Sequence, residues 1–511
     1  MNRFERILSG IAPGIAVKRA EARARMAALD GVTMAYDGAT TGRRSQGWRV
    51  VSTDANAENL PALSRMRDVA RDMVRNNPHA ANGKRVLRQN IVGPGIIPAV
   101  QARSKTRRKL IEQLLKDHFD TTDCDARGQT NLYGLQDQVI GAVAEGGEAL
   151  VRWRPRKRSD GLALPFQLEV LEGDYLDMSV DGTLRNGNIA IQGVEFDLLG
   201  RRVAYWIYKN HPGSYSGLGS TASSRVPADR VAHVYRIDRP GQVRGITWFS
   251  AVILKMRDLA DYADAQLVRQ KVAACFAAFI TGTEGVAQDA QGATIDTSGS
   301  GFAVESLEPG MIQRLRDGEE VTFGTPPSVG DYEAYKRAEL RDVAVGLGVT
   351  YESLAGDYSN VNFSSGRMGW IEFHRTVTGA QNHMLIPQLC APVGRWFMEA
   401  AATVAGDLAD ARLTWTAPRR EMINPLEEYK ALAFAVRNGF MSMPDALLSL
   451  GLDPQDHVDQ IKAFMKMVDD AEVILDSDPR HRTGQGNAIT DTTTPPPADP
   501  AGTDSKGNAN A

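Results

Sequence analysis

The spacing of apolar positions divides the chain into a helical start, a strand-rich middle and a helical end. Over Pro61–Arg75, Leu63, Met66, Val69, Ala70 and Met73 share one face and predict a helix. Asn76-Asn77-Pro78 breaks it. Pro78 suits the first turn of a second helix running to about Gln89, which Gly93-Pro94-Gly95 stops. A third helix is predicted over Lys105–Phe119 with Leu110, Leu114 and Leu115 inward, and a fourth over Leu132–Ala144. The pattern then turns β-like. Glu148–Trp153, Pro165–Leu171, Asn188–Phe196, Arg202–Lys209 and Arg230–Arg236 predict short strands of an antiparallel, meander-like sheet.

A long helix follows over Phe249–Ala274, with Val252, Met256, Leu259, Ala263 and Leu267 at helical steps. Residues 276–330 are a Gly-rich, mixed insert ended by Pro326-Pro327. Asp331 then caps a second long helix through Leu347, whose stripe is Tyr332, Tyr335, Leu340, Val343 and Leu347. A polar stretch, Glu352–Gly366, precedes helices over Arg367–Met384 and Pro387–Val404 and a short strand, Arg412–Trp415. Asn424-Pro425, Pro444 and Asp453-Pro454 open the last three helices. Beyond Ser477 the chain is rich in Thr, Pro, Gly and Asn and is expected to be disordered. Two long helices flanking an insert make an extended hairpin with a cap at its tip. Such a hairpin cannot hide both its faces, so support from neighbouring copies is expected.

Composition sharpens this picture in three ways. With 42% hydrophobic residues in a chain of 511, a sizeable core and several lobes are expected. The net charge of −3 conceals an asymmetry: residues 1–110 carry +13 and the remainder −16. A basic start suits nucleic acid or an acidic partner, or else arginines that solvate helix faces. Cys124, Cys275 and Cys390 lie more than 100 residues apart with no CxxC, which excludes a zinc ribbon and fits a reducing cytosol. The longest uncharged apolar run, Val272–Ile280, is nine residues, against about 20 for a membrane span. Ile7–Val17, broken by Gly10, Pro13 and Gly14, makes a poor secretion signal.

Catalytic signatures are missing. Asn82-Gly83-Lys84-Arg85 lacks the first glycine and the Ser/Thr of a phosphate-binding loop, and Gly213–Gly217 reads GSYSG, with tyrosine at the nucleophile position. No strand runs through a Gly-rich loop into a helix, so a dinucleotide-binding fold is excluded. His374 and His383, nine residues apart, fall on opposite faces of one helix. No catalytic residue, cofactor or metal is expected.

The residues do resemble a family. Arg244-Gly-Ile-Thr-Trp-Phe249 carries the resemblance before the first long helix. The stretch Gly348-Val-Thr-Tyr-Glu-Ser-Leu-Ala-Gly-Asp-Tyr-Ser-Asn-Val-Asn-Phe-Ser-Ser-Gly-Arg367 carries it more specifically. Arg75-Asn-Asn-Pro78, Asn90-Ile-Val-Gly-Pro-Gly95, Trp415, Pro418 and Asn424-Pro425-Leu-Glu-Glu with Lys430 fit as well, and Phe363 stands where the family has Tyr. Over roughly residues 30–475 the chain resembles the lambda-type portal proteins of tailed bacteriophages.

The resemblance implies an α+β portal fold. Its parts would be a basic N-terminal arm (1–29), a helical and β wing (30–248) and a first stem helix (249–275). An α/β clip (276–330), a second stem helix (331–347), a tunnel loop and helix (348–384), a wing return (385–420), an all-helical crown (421–475) and a disordered tail (476–511) would follow. It implies a homo-oligomeric ring, usually dodecameric, at one capsid vertex of the virion, made and assembled in the bacterial host cytoplasm. Double-stranded DNA would pass along the axis. The terminase large subunit, the major capsid protein or scaffold, and head–tail connector proteins would be partners, with no membrane involved. The stretch 352–367 would be the tunnel loop, with Asp357, Ser359, Asn360, Asn362, Ser364, Ser365 and Arg367 toward DNA. Short, mostly uncharged side chains suit that role, because each phosphate neutralised by a cation adds affinity that hinders sliding. Arg257, Arg269 and Lys271 are candidate channel cations, or partners in ion pairs between subunits. Two other classes remain to be weighed: an enzyme with a nonlocal active site, and a basic nucleic-acid-binding module.

Overall fold

The computed structural model describes residues 52–214, 222–274, 278–282, 319–323, 332–418, 421–452 and 454–473, with a few flanking positions that include Asp478 and Arg480. Nearly all of the basic arm, most of the insert 276–330 and the tail after Arg480 lie outside these residues. The chain divides into two compact units, Met1–Glu58 and Asn59–Ala511. In the first, Asp54 caps the short helix α1 (Ala55–Asn59), its Oδ1 accepting from the Ala57 N–H at 2.9 Å.

The second unit opens with helices whose ends were written locally. Helix α2 (Leu63–Asn76) stops at Asn77, whose side chain caps α3 (Pro78–Ile91) by accepting from the His79 and Ala80 N–H groups. Strand β1 (Ile97–Ala102) follows, then α4 (Lys105–Phe119) capped by Ser104, and α5 (Leu132–Gly146) capped by Asn131. On α4 the inward face is Ile111, Leu114, Leu115 and His118, and Leu110 is exposed rather than inward. Ile111 completes the three- and four-residue spacing that its neighbour cannot.

The strands form two main sheets instead of one meander. In the first, β2 (Glu148–Pro155) lies between β3 (Phe166–Glu172) and β9 (Val231–Tyr235), all antiparallel. The second is a five-stranded meander: β4 (Gly182–Thr183), β5 (Ile189–Ile191), β6 (Val194–Phe196), β7 (Arg202–Tyr208) and β8 (Ser223–Pro227). The run Asn188–Phe196, expected as one strand, is the β5–β6 hairpin. It turns at Gln192 and Gly193, with φ of 50° and 87°. A Cβ on Gly193 would sit 2.7 Å from the Asp177 carbonyl oxygen, so glycine is required there. The first sheet, α3, α5 and later helices bury the main core around Phe119, Ile140, Phe166 and Phe397. A smaller core of Leu150, Leu176, Val194, Tyr205 and Ile207 underlies the meander.

Helix α6 (Ile253–Ala274) is 22 residues, about 33 Å at 1.5 Å per residue. Strands β10 (Ala278–Gly282) and β11 (Glu319–Phe323) pair antiparallel, and α7 (Tyr332–Leu347) follows. At their shared base Met256, Leu259, Leu340 and Val343 are buried. Lys255 of α6 pairs with Glu339 and Asp342 of α7, and the Tyr262 ring lies 4.7 Å from that of Tyr335. Leu267 and Tyr335, expected inward, are exposed, because this contact buries α6 only as far as Leu259.

The helices expected at 367–384 and 387–404 are one continuous run. Short α8 (Tyr351–Ala355) precedes α9 (Phe363–Ala380), which passes through a π-helical stretch, Gln381–Cys390, into α10 (Ala391–Ala405). Pro387 lacks an N–H and crowds the preceding turn, and the wider π register absorbs it without a break. Strand β12 (Ala411–Thr416) returns to β1, with Ile97 opposite Thr416 and Ala102 opposite Ala411. Three helices close the fold: α11 (Pro425–Arg437), α12 (Met443–Ser449) and α13 (Pro454–Asp470). Arg480 bonds Asp469 at 2.9 Å and Asp478 at 2.8 Å, so described structure extends past the tail boundary expected at Ser477. Among the described residues no helix is long and apolar enough to cross a membrane.

Candidate functional site

The polar stretch 352–367 is mostly not loop. Thr350 caps α8, its hydroxyl accepting from the Ser353 N–H at 3.2 Å, and Gly356 ends that helix at φ 70°. Only 356–362 is irregular. Asn362 then caps α9 in a reciprocal box: its Oδ1 accepts from the Ser365 N–H at 2.8 Å, and the Asn362 N–H donates to the Ser365 hydroxyl at 3.2 Å. Ser364, Ser365 and Arg367 therefore sit on the first turns of a helix that begins at Phe363, not Arg367. Short polar residues read as loop, but they are also what helix ends require.

Of the proposed channel residues, Ser359, Asn360, Asn362, Ser364, Ser365 and Arg367 are exposed, and Asp357 is half-buried. The Asp357 carboxylate accepts from the Ser359 hydroxyl at 2.6 Å, the Ser359 N–H at 3.1 Å and the Tyr351 hydroxyl at 2.9 Å. Those bonds, the Ser359 hydroxyl foremost, bring its pKa down to about 2. It is thus a fixed anion that shapes the turn. The segment is held to the core by Leu354, which is buried, and by Asn82, whose amide donates to the carbonyls of Ser353 and Leu354 at 2.8 Å each. Gly83 brings α3 close: a Cβ there would meet Leu347 at 3.0 Å and Leu354 at 3.2 Å.

The candidate cations on α6 are separate from this loop. Arg257 and Lys271 are exposed, with Asp261 3.9 Å from Arg257, and Arg269 is partly buried. Many basic residues of the chain's start are engaged within the fold. Arg71 pairs with Glu172 and Asp174, Lys84 with Glu145, Arg88 with Asp137, Arg107 with Asp410 and Arg108 with Glu112. Among the described residues, Arg71, Lys84, Arg88 and Arg107 are thus engaged across elements, while most of residues 1–51 lie outside the description.

Sequence reasoning missed a fully buried charge cluster. Glu148, at the start of β2, is fully buried. It accepts from Arg67 at 2.7 Å, from Arg244 at 2.5 Å, from the Gly245 N–H at 3.1 Å and from His233 Nε2 at 3.0 Å. Arg244 also donates to the carbonyls of Gln192 and Gly173, tying both sheets together. Burial alone would raise the Glu148 pKa, but Arg244, His233 and Arg67 outweigh it and hold it well below the usual carboxylate range. Burial lowers His233 to about 4, so it is neutral and donates through Nε2. With Asp174 3.1 Å from Arg67, and Arg71 bonding both Asp174 and Glu172, three cations face three anions and the cluster is balanced.

The rest of the Arg244–Phe249 motif has equally local work. A Cβ on Gly245 would lie 2.1 Å from the Gly147 carbonyl oxygen, so the two backbones touch only because glycine is present. Thr247 and the Trp248 N–H both bond the Ala144 carbonyl at the end of α5, and Phe249 is buried. The signal available in sequence was the motif itself; its partner Glu148 gave none.

Glu172, Asp174 and His211 come within ligand distance of one another. The Arg71 guanidinium already bonds both carboxylates, at 2.7 and 2.5 Å. His374 Nδ1 contacts the Trp370 carbonyl oxygen at 2.9 Å within α9.

A mixed α+β body with two long paired helices and a capped polar loop at the foot of the second suits a phage portal subunit. Residues 41–381, well over half the chain, match the family described as phage portal protein, lambda family, and the chain belongs to that family. It is 28% identical over 423 residues to a probable portal protein of Halomonas phage phiHAP-1, covering 78% of this chain and 79% of that one. Portal protein B of Escherichia phage lambda is 24% identical over 372 residues, covering 65% and 67%. Among solved structures, the neck of an empty gene transfer agent particle aligns with a TM-score of 0.45 at 17% identity, covering 80% of this chain and 97% of that one.

Proposed function

We propose that copies of this chain close into a ring, twelve in number, around an axial channel that conducts double-stranded DNA during packaging and ejection. In this reading 30–248 and 385–420 form the wing, 249–275 and 331–347 the stem, 276–330 the clip and 421–475 the crown. The ring is assembled in the host cytoplasm and retained in the virion. It docks the terminase large subunit, then head–tail connector proteins, and seeds growth of the major capsid protein or scaffold. Asp357, Ser359, Asn360 and Asn362 with Ser364, Ser365 and Arg367 form the collar toward DNA; Arg257, Arg269 and Lys271 lie on the stem.

The observation that carries this reading is the amount of apolar surface one copy leaves uncovered on its outer helices. Helix α11 buries no residue, and Leu426, Phe434, Phe440 and Met443 around it are exposed. Large apolar side chains left exposed along one helix suit an interaction surface. Electron-microscope images of the purified chain, with its mass in solution, test the reading. Rings near twelve chains support it, and a persistent monomer refutes it.

A further inference from the structure

The last three helices of one copy carry more apolar surface outside than inside. Among the described residues of 421–473, Ala446, Leu447 and Val468 are the buried apolar side chains, while thirteen large ones are exposed. Three buried side chains do not offset the ordering of three helices. The faces of α13 are also turned the wrong way round for a copy that stands alone. A cleft of about 780 Å³ separates α13 from the body, with Lys105 and Lys109 of α4 on one wall and Asp459, Gln460 and Ala463 of α13 on the other. Val458 and Met465 stand about 140–160° around the helix from Gln460, with Ile461 beside them. Val458 is 54% exposed and Ile461 44%. The helix thus shows its own body a polar side and turns an apolar stripe away. Val458, Ile461, Met465 and Val468 follow steps of three and four, the spacing of a seam that packs on another helix. On α11, Leu426 and Ala433, seven residues apart, make a second outward face with Phe434; Leu426 is 63% exposed and Phe434 64%. Within one copy the chief helix contacts of α11 and α13 are both with α12.

We infer that the core of these helices is divided between copies: the outer stripe of α13 in one copy packs on the outer face of α11 in the next, and helices that are marginal in a lone chain become stable as the ring closes. The inference rests on the ring reading and names what covers its exposed helices. Charge does not choose the occupant, because both helices mix acids and bases. The shortage of core does. A cover needed for stability has to be present in every ring, and a neighbouring copy is, whereas DNA or a docking protein comes and goes. DNA would also set an apolar stripe against phosphates. A core shared by two chains is the character of an obligate interface. Because the two faces differ, the contact is head-to-tail, the kind that closes into rings.

The test uses the full chain, with hydrogen exchange read on rings and on dissociated monomer. Amides of 425–437 and 454–470 should exchange about tenfold more slowly in the ring, while those of α5 change little. Ile461→Asp, at an exposed position, should leave the melting of the body unchanged and cost these helices that protection or the ring its yield. Ala433→Cys with Ile461→Cys, treated with a short bismaleimide, should give a ladder of multimers beyond what either single variant or the wild type gives. Helices equally protected in monomer and ring need no neighbour, and helices equally unprotected in both are covered by another protein; either result overturns the inference and leaves the ring reading intact. So does an Ile461→Asp chain that keeps both protection and yield, or a double variant without a ladder. A wild-type chain that never assembles overturns both.

Discussion

Asn82, on α3, donates one side-chain amide to the carbonyls of Ser353 and Leu354, more than 270 residues further along the chain. These are carbonyls in the single turn of α8, so one side chain ties the foot of the polar loop to the wall of the core. Replacing it with alanine removes the amide donor from both oxygens in a half-buried place. Asn82→Ala should cost about 1–3 kcal/mol in denaturant unfolding. In a packaging assay it should release the loop before it disturbs assembly; an unchanged unfolding midpoint would show that water replaces the amide at no cost.

The loop itself separates into residues that cap and a residue that only faces outward. Asn362→Ala removes the α9 cap and should cost about 0.5–2 kcal/mol, whereas Asn362→Ser should keep most of it. Asn360→Leu, at an exposed position without a capping role, should leave the fold and ring yield as they are and reduce DNA packaged per head. Equal packaging by Asn360→Leu and wild type would remove 356–362 from the channel.

Arg244 should be intolerant of change. Arg244→Met leaves Glu148 with one fewer cation in a fully buried site, a loss of about 3–5 kcal/mol. Lysine cannot make the forked contacts to Glu148, Gly173 and Gln192 and should rescue little. Soluble expression and urea midpoints read this directly.

Acid should unfold the protein in two stages. Burial lowers both His118 and His233 from 6.5 to about 4. Their contribution is complete above pH 6.5 and is lost as pH falls toward 4, because the unfolded chain takes up those protons first. Each shift corresponds to roughly 3 kcal/mol at most. Glu148, held lower still, contributes above its ordinary value near 4.5 and fails only beneath it. The His118 ring lies tilted against that of Phe166, centroids 4.6 Å apart, and neither ring nitrogen has a hydrogen-bond partner among the described residues. His118→Leu should therefore keep the packing and reduce the pH slope between 6.5 and 4 by one proton. An unaltered slope in urea titrations would rule this out.

How far the sequence anticipates all this depends on how local the cause is. Helices α3 to α5 are legible because Asn77, Ser104 and Asn131 announce their starts within four residues. The same local grammar was present at Asn362 and Ser365, but a run of small polar residues reads equally well as loop. Strand β12 could be seen from its own alternation; its partner β1, more than 300 residues away, could not. Arg67 occupied a helix position that looks like solvent, and only the fold reveals that Glu148 waits behind it. The family motif around Arg244 was recognisable long before its chemistry was.

The π-helical stretch at Gln381–Cys390 has a consequence for insertions and deletions. Wide turns hold more residues than the α-turns on either side, so the stretch behaves as an insertion already absorbed. A one-residue deletion there can be met by converting a wide turn to a narrow one, leaving α10 in its place. The same deletion inside α7 would rotate every later side chain by about 100°, carrying Val343 out of the core. Length variation in this protein should therefore concentrate at 381–390. Each such change would re-aim α9, and with it the polar loop at its tip, without altering a residue of either.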